Sequence, residues 1–159
     1  MLASARMAPR RGLVALSCVV AIVLSGCGLV GRTPPAPTPA DFLGISGAFV
    51  ARGISVSQVV AGDAGCADAG LAKTAISFRA SGLDQATPVV VHLYIFGSRA
   101  SYQKLRAAVD SCAASYVTDP ASFVSIDASP FVIVSQGPWG AQFTAAIRQG
   151  LTQEAGNGG

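Results

Sequence analysis

From residue 39 onward, apolar and polar positions divide the chain into seven segments with helical or strand-like spacing. Apolar residues that recur every three or four positions predict helices with one buried side, whereas short runs rich in β-branched and aromatic residues predict strands. The predicted helices begin at Pro39, at Arg99 and after Gly137. The predicted strands are residues 54–61, 75–80, 88–96 and 131–135.

This order of elements, α-β-β-β-α-β-α, predicts an α+β fold. Three consecutive strands with short links favour antiparallel pairing, and the middle helix then carries the chain over to the fourth strand. We therefore expect a two-layer domain in which a four-stranded, mainly antiparallel sheet has its helices on one face.

The helix at residues 99–117 has the clearest pattern. Ser98 precedes it and can accept hydrogen bonds from its first turn. Its apolar positions follow alternating three- and four-residue steps along one side, through Tyr102, Leu105, Val109, Cys112 and Tyr116. The Asp119-Pro120 step predicts a boundary after this helix, because the residue before a proline disfavours helical geometry.

The strand at residues 88–96 has two different faces. Its odd-numbered residues from Val89 to Ile95 are all aliphatic, and we expect this face to meet the helices. The even-numbered residues then point outward and include His92, the single histidine of the chain. Together with one cation on the neighbouring strand and the single tryptophan, they form a candidate binding surface of Arg79, His92, Tyr94, Phe96 and Trp139.

Three blocks at the start of the chain follow the order of an export signal. Arg6, Arg10 and Arg11 supply positive charge, and residues 13–24 are apolar except for Ser17. A twelve-residue helix rises about 18 Å, which is too short for a hydrocarbon core of about 30 Å. The run therefore indicates a signal peptide and not a membrane span.

The apolar run ends in Leu24-Ser25-Gly26-Cys27, which resembles the lipobox of bacterial lipoproteins. The resemblance implies that residues 1–26 are removed and that Cys27 is lipidated with acyl chains such as palmitate. The lipid would hold the protein at the extracytoplasmic side of the cell membrane, or of an outer membrane where the organism has one. An ordinary secretory signal, with Cys27 incidental, is the alternative.

The remaining chain predicts one tethered domain. Residues 27–39 carry four prolines between positions 34 and 39, which favours an extended spacer after the lipidated cysteine. A single α+β domain is expected over residues 40–155. The Gly-rich residues 156–159 are expected to form a disordered tail.

Charge is concentrated in the leader. The chain has 11 basic and 8 acidic residues, with a formal net charge of +3. Three of the arginines lie in the first eleven residues and every acid follows residue 27, so the part after the leader is neutral. Because nucleic-acid binding depends on clustered cations, we expect no nucleic-acid partner.

Two cysteines, Cys66 and Cys112, remain once the leader and the lipidated cysteine are set aside. An exported protein meets an oxidising compartment, which favours a disulfide between them. The bond would close a loop of about 47 residues and stabilise the fold by up to about 4 kcal/mol. Two buried free thiols, or a redox or metal pair, are the alternatives, although no C-x-x-C spacing supports redox chemistry.

The sequence carries no recognisable catalytic pattern. It has no G-x-S-x-G motif, one histidine and one glutamate, and too few cysteines and histidines for a zinc site. We expect no enzyme activity, no metal and no cofactor. The pattern instead favours a non-catalytic binding or accessory module with a protein partner at the cell envelope. A small-ligand-binding lipoprotein that works with a transporter is the alternative.

Overall fold

The computed structural model describes residues 39–157, which form four helices and five strands. The helices are α1 (Pro39–Val50), α2 (Ala69–Ala72), α3 (Arg99–Ala113) and α4 (Ala141–Asn157). The strands are β1 (Ser55–Ala61), β2 (Ala75–Gly82), β3 (Gln85–Ile95), β4 (Phe123–Ala128) and β5 (Phe131–Gln136). Among these residues, no helix has both the length and the apolar character needed to span a bilayer.

The five strands form one antiparallel sheet in the order β1-β2-β3-β5-β4. The α+β class and the antiparallel pairing of the first three strands are therefore confirmed. The expected number of four strands is wrong, because β4 occupies the far edge and β5 returns between β4 and β3. In the middle of β4, polar Ser125 and Asp127 alternate with apolar Val124 and Ile126, so this part of the strand has one apolar side.

Helices cover both faces of the sheet, so the expected two-layer arrangement is also wrong. On one face, α1 and α4 pack on a core that includes Phe78, Leu93 and Ile133. On the other face, α3 packs on Tyr94 and Val134. The physical reason lies in β3, whose residues 91–95 are all buried. A strand that is apolar on both faces needs cover on both faces. We call these the α1/α4 face and the α3 face.

The last helix is capped by a residue that is distant in the sequence. Asp84, in the turn between β2 and β3, accepts hydrogen bonds from the backbone N–H groups of Gln142 and Phe143 at 2.9 and 2.8 Å. These groups are free at a helix start and favour a negative charge. The two hydrogen bonds lower the pKa of Asp84 below its usual value of 3.8. Helix α4 therefore begins at Ala141, after Gly137-Pro138.

Helix α3 is fixed at its start and along its length. Ser98 accepts a hydrogen bond from the N–H of Ser101, which confirms the predicted cap. Further along, Arg106 donates from Nε and one terminal nitrogen to Asp127 on β4 at 2.5 and 3.1 Å, and pairs with Asp110 at 2.6 Å. These bonds connect the α3 layer to the edge strand that the sequence pattern did not predict.

Candidate functional site

Three aromatic residues of the expected binding surface are buried. Tyr94 and Phe96 are 0% and 1% exposed, and His92 is 6% exposed. They lie on the α3 face, where the helix and the loop after β1 cover them. The expectation that this whole face is open is therefore wrong. Large aromatic side chains gain more by burial against a helix than by exposure to water.

Cys66 and Cys112 lie at disulfide distance, with their Cα atoms 5.5 Å apart. The pair joins the loop between β1 and α2 to the last turns of α3. Beneath it, the Tyr94 hydroxyl donates a hydrogen bond to the carbonyl oxygen of Ala64 at 2.8 Å. The loop at residues 62–66 is thus held at two neighbouring points on the α3 face.

Asp63 fixes the same loop to the sheet. Its carboxylate accepts a 2.6 Å hydrogen bond from the hydroxyl of Ser77 on β2 and a 2.9 Å bond from the N–H of Gly65. The Ser77 bond is the main reason that the pKa of Asp63 is lowered from its usual 3.8, and the Gly65 bond and the neighbouring His92 act in the same direction. The carboxylate therefore stays ionised and holds the loop at neutral pH.

His92 lies beside Asp63 but does not stand between its carboxylate and Ser77. Its Nδ1 is 3.4 Å from the backbone carbonyl oxygen of Asp63, while Ser77 donates directly to the Asp63 carboxylate. In a serine nucleophile system, the histidine stands between the serine and the acid. The arrangement of these three residues is therefore that of a loop anchor and not of a catalytic triad.

The back of the site is an aromatic pair held against a glycine. The rings of His92 and Tyr116 lie 4.5 Å apart with their planes tilted by 41°. Gly65 touches both rings, and a Cβ atom there would lie 2.7 Å from Tyr116 Cε1 and 2.9 Å from His92 Cε1. Burial, followed by the neighbouring Tyr94, raises the pKa of Tyr116, so its hydroxyl stays protonated.

A groove of about 500 Å³ opens where α3 ends and leaves the rest of its sheet face uncovered. Its lining residues come from β3, from the turn after α3 and from the end of β5. They are Val89, Val90, His92, Tyr116, Gln136 and Gly137. We call this the sheet groove. Its surface is mainly apolar, as in small-molecule and peptide sites, although the Val89 side chain itself packs on the α1/α4 face.

Gln136 fixes one wall of the sheet groove. Its Oε1 accepts a 2.8 Å hydrogen bond from the N–H of Thr118, and its Nε2 donates to the hydroxyl of Ser122. Both partners belong to the segment between α3 and β4. The side-chain amide is therefore engaged in holding this segment, and the wall is built before any ligand arrives.

Arg79 lies next to the sheet groove on the uncovered part of the α3 face. On β2 it pairs with Val90 of β3, which lines the groove, and it is exposed. Directly paired residues of neighbouring strands project from the same face with Cβ atoms about 5 Å apart. Arg79 forms no ion pair or side-chain hydrogen bond with any residue that the structure describes. The structure thus brings Arg79 and His92 to one site.

Trp139 does not join this site. It packs on the α1/α4 face, with its ring 5.1 Å from that of Phe143 in an edge-on arrangement. Its indole Nε1 is buried and has no hydrogen-bond partner among residues 39–157. Cys27, the predicted lipidation site, lies outside the described residues.

Of the six residues that line the sheet groove, the predicted surface contained only His92, and Tyr116 and Gln136 are among those it missed. Tyr116 was placed on the stripe of α3, one turn after Cys112, and its contact with His92 follows if the cysteine pair brings α3 to the loop beside the strand. Gln136 has no comparable signal, because its role depends on how the chain returns from β4. In residues 39–157, no group of three or more His, Cys, Asp or Glu side chains is arranged to hold a metal ion.

Comparison with protein-family models, with curated proteins and with solved structures finds no match to this chain.

Proposed function

We propose that this chain is a lipid-anchored extracytoplasmic module that binds a partner without catalysis, and that the sheet groove is its binding site. The observation that carries the proposal is the groove itself: fixed walls, an apolar floor and an exposed cation beside it. The contacts of Asp63, Ser77 and His92 support binding over catalysis, since they anchor a loop and do not activate a nucleophile.

The anchoring half of the proposal is supported by the order of charge, apolar run and Leu24-Ser25-Gly26-Cys27 in the sequence. Intact-mass analysis of the protein from the membrane fraction of its native host tests it. We expect a chain that begins at Cys27 and carries acyl groups, and a Cys27→Ala variant that loses them. An unacylated Cys27 on an untrimmed chain would contradict the anchor and leave the groove hypothesis standing.

The binding half is tested with two matched valines. Val90 lines the sheet groove and is 46% exposed, whereas Val59 lies on the edge strand β1 and is 49% exposed. Partners are cross-linked to the wild-type protein in its native membrane and compared between variants. We expect Val90→Lys to lose the cross-linked protein partner and Val59→Lys to retain it. Equal recovery of the cross-linked partner with both variants would show that the partner does not bind in the sheet groove.

A second candidate function is capture of a small ligand for a transporter. The volume of about 500 Å³ favours it, because sites for small molecules commonly span about 300–1,000 Å³. Native mass spectrometry of protein purified from its host separates the two functions. A small molecule retained by the wild type and lost in Val90→Lys supports ligand capture. Cross-linked protein without bound small molecule supports the accessory module.

A further inference from the structure

We infer that the sheet groove binds a carboxylate carried on an apolar or aromatic body, with Arg79 as the anchoring cation. This inference rests on the proposed function, because it names the ligand chemistry of the same groove. It is carried by the surroundings of Arg79, by the lining of the groove and by the balance of charge between them.

The guanidinium of Arg79 has neutral strand partners, and the carboxylate that approaches its sheet face, that of Asp63, is bonded to Ser77 two residues away. Across the two flanking strands it pairs with Ser57 on β1 and Val90 on β3. The described part of the chain has two ion pairs, and both belong to Arg106. A planar guanidinium with its donors unused is suited to bidentate binding of a carboxylate.

The lining of the sheet groove beside Arg79 suits an apolar body. Val90 forms the floor closest to the cation, and the tilted rings of His92 and Tyr116 also line the groove. The Gln136 amide is occupied by Thr118 and Ser122. A ligand that meets one charged donor and a mostly apolar surface must combine one charged end with an uncharged remainder.

The charges around the sheet groove favour a ligand that carries a single negative charge. One arginine stands beside the groove, and the Asp63 carboxylate on the same sheet face is already bonded to Ser77. A phosphate monoester, which carries close to two charges and accepts several hydrogen bonds, would leave oxygens without donors there. A carboxylate is matched by one guanidinium. The carboxylate can belong to a free small acid or to the C-terminus of a partner protein.

Saturation-transfer NMR on the detergent-solubilised mature protein tests the inference with benzoate and its neutral analogue benzamide. We expect benzoate to bind at least about tenfold more tightly, because the bond to Arg79 is charge-assisted. Arg79→Gln should abolish the difference. Arg148→Gln is the matched control, since Arg148 is exposed on α4 at the opposite face and should leave the difference intact. Equal binding of the two probes to the wild type, or an unchanged difference in Arg79→Gln, would overturn the inference.

A tetrapeptide with a free or an amidated C-terminus identifies the source of the carboxylate. Arg79-dependent binding of the free-acid peptide, tighter than that of benzoate, assigns a protein terminus. Arg79-dependent binding of benzoate without the peptide assigns a free small acid. If neither probe binds while Val90→Lys still abolishes partner recovery, the carboxylate inference fails and the groove stands. If neither probe binds and Val90→Lys has no effect, both fail.

Discussion

At the scale of single residues, Gly65 holds the closest contacts of the candidate site. Its φ of +76° lies in the region that favours glycine, and the space for a Cβ is filled by Tyr116 and His92. We predict that Gly65→Ala lowers the free energy of unfolding by about 1–3 kcal/mol and displaces the aromatic pair. Urea denaturation measures the first effect, and the aromatic NMR signals of Tyr116 report the second.

Gly47 is the control for this substitution. It is exposed in α1, and an added Cβ would meet nothing within 4 Å. Gly47→Ala should therefore stabilise the protein by about 0.5–1 kcal/mol, as is usual inside a helix. If the two variants lose stability equally, the crowding described at Gly65 is not what constrains that position.

Asp84 gives a prediction about pH. Its pKa is lowered in the folded protein by the N–H groups of Gln142 and Phe143, so its ionised form stabilises the fold. This contribution is fully present above the usual pKa of 3.8 and is lost as pH falls through the lower folded value. We predict that Asp84→Asn lowers the melting temperature at pH 7 and that the difference from wild type narrows below pH 4. A difference that is the same at pH 7 and pH 3 would contradict an ionised cap.

At the scale of elements, the attachment of α3 to β4 depends on Arg106. Burial acts to raise the pKa of Asp127, but the hydrogen bonds and charge of Arg106 outweigh it, and the pKa is lowered. We predict that Arg106→Met lowers the free energy of unfolding by about 1 kcal/mol, since the pair is partly exposed. Lys104→Met, at an exposed position of the same helix, should change it little. Chemical denaturation of both variants measures the two changes in unfolding free energy. Equal losses of stability would assign the effect to helix propensity and not to the Arg106–Asp127 contact.

Some of the helices and strands could be predicted from the sequence and others could not. The strand at β3 and the helix at α3 were predictable, because their residues favour those structures locally and Ser98 marks the helix start. Strand β4 was not, because its polar residue Asp127 is explained by Arg106 and Tyr102, partners 21 and 25 residues away in the sequence. The second helical layer was missed for a related reason: alternation in β3 separates two faces but does not reveal that both are covered.

The candidate site, like the fold, was predictable from the sequence only in part. Arg79 and His92 were identified from their strands, since residues paired across two strands share a face. Tyr94 and Phe96 were placed on that face correctly, but their burial depends on where α3 crosses it. Trp139 was assigned to the binding surface as a residue at the start of the predicted last helix, whereas in the structure it packs on the opposite face.

At the scale of the whole molecule, the Cys66–Cys112 pair connects two distant parts of the chain. The two positions are 46 residues apart in sequence, and a disulfide between them would reduce the conformational entropy of the unfolded chain. We predict no free thiols at these two positions in the oxidised protein and a loss of up to about 4 kcal/mol of unfolding free energy on reduction. Thiol titration and thermal melting, each with and without reductant, measure both effects.

A Cys66→Ser, Cys112→Ser double variant separates the bond from the reductant. It should melt at the temperature of the reduced wild type and should not respond to reductant. Because Tyr116 follows Cys112 by one helical turn and touches Gly65, the double variant should also weaken binding in the sheet groove. Two titratable thiols at these positions in the native protein would show that the bond does not form.

The two ends of the described chain belong to one layer. Pro39 begins α1 and Asn157 ends α4, and both helices cover the same side of the sheet, while the sheet groove opens on the other side. A segment joined at Pro39 or at Asn157 is thus attached on the side of the sheet opposite the sheet groove. Fusing a fluorescent reporter or an immobilisation handle to the C-terminus should therefore leave access to Arg79 and Val90 unobstructed.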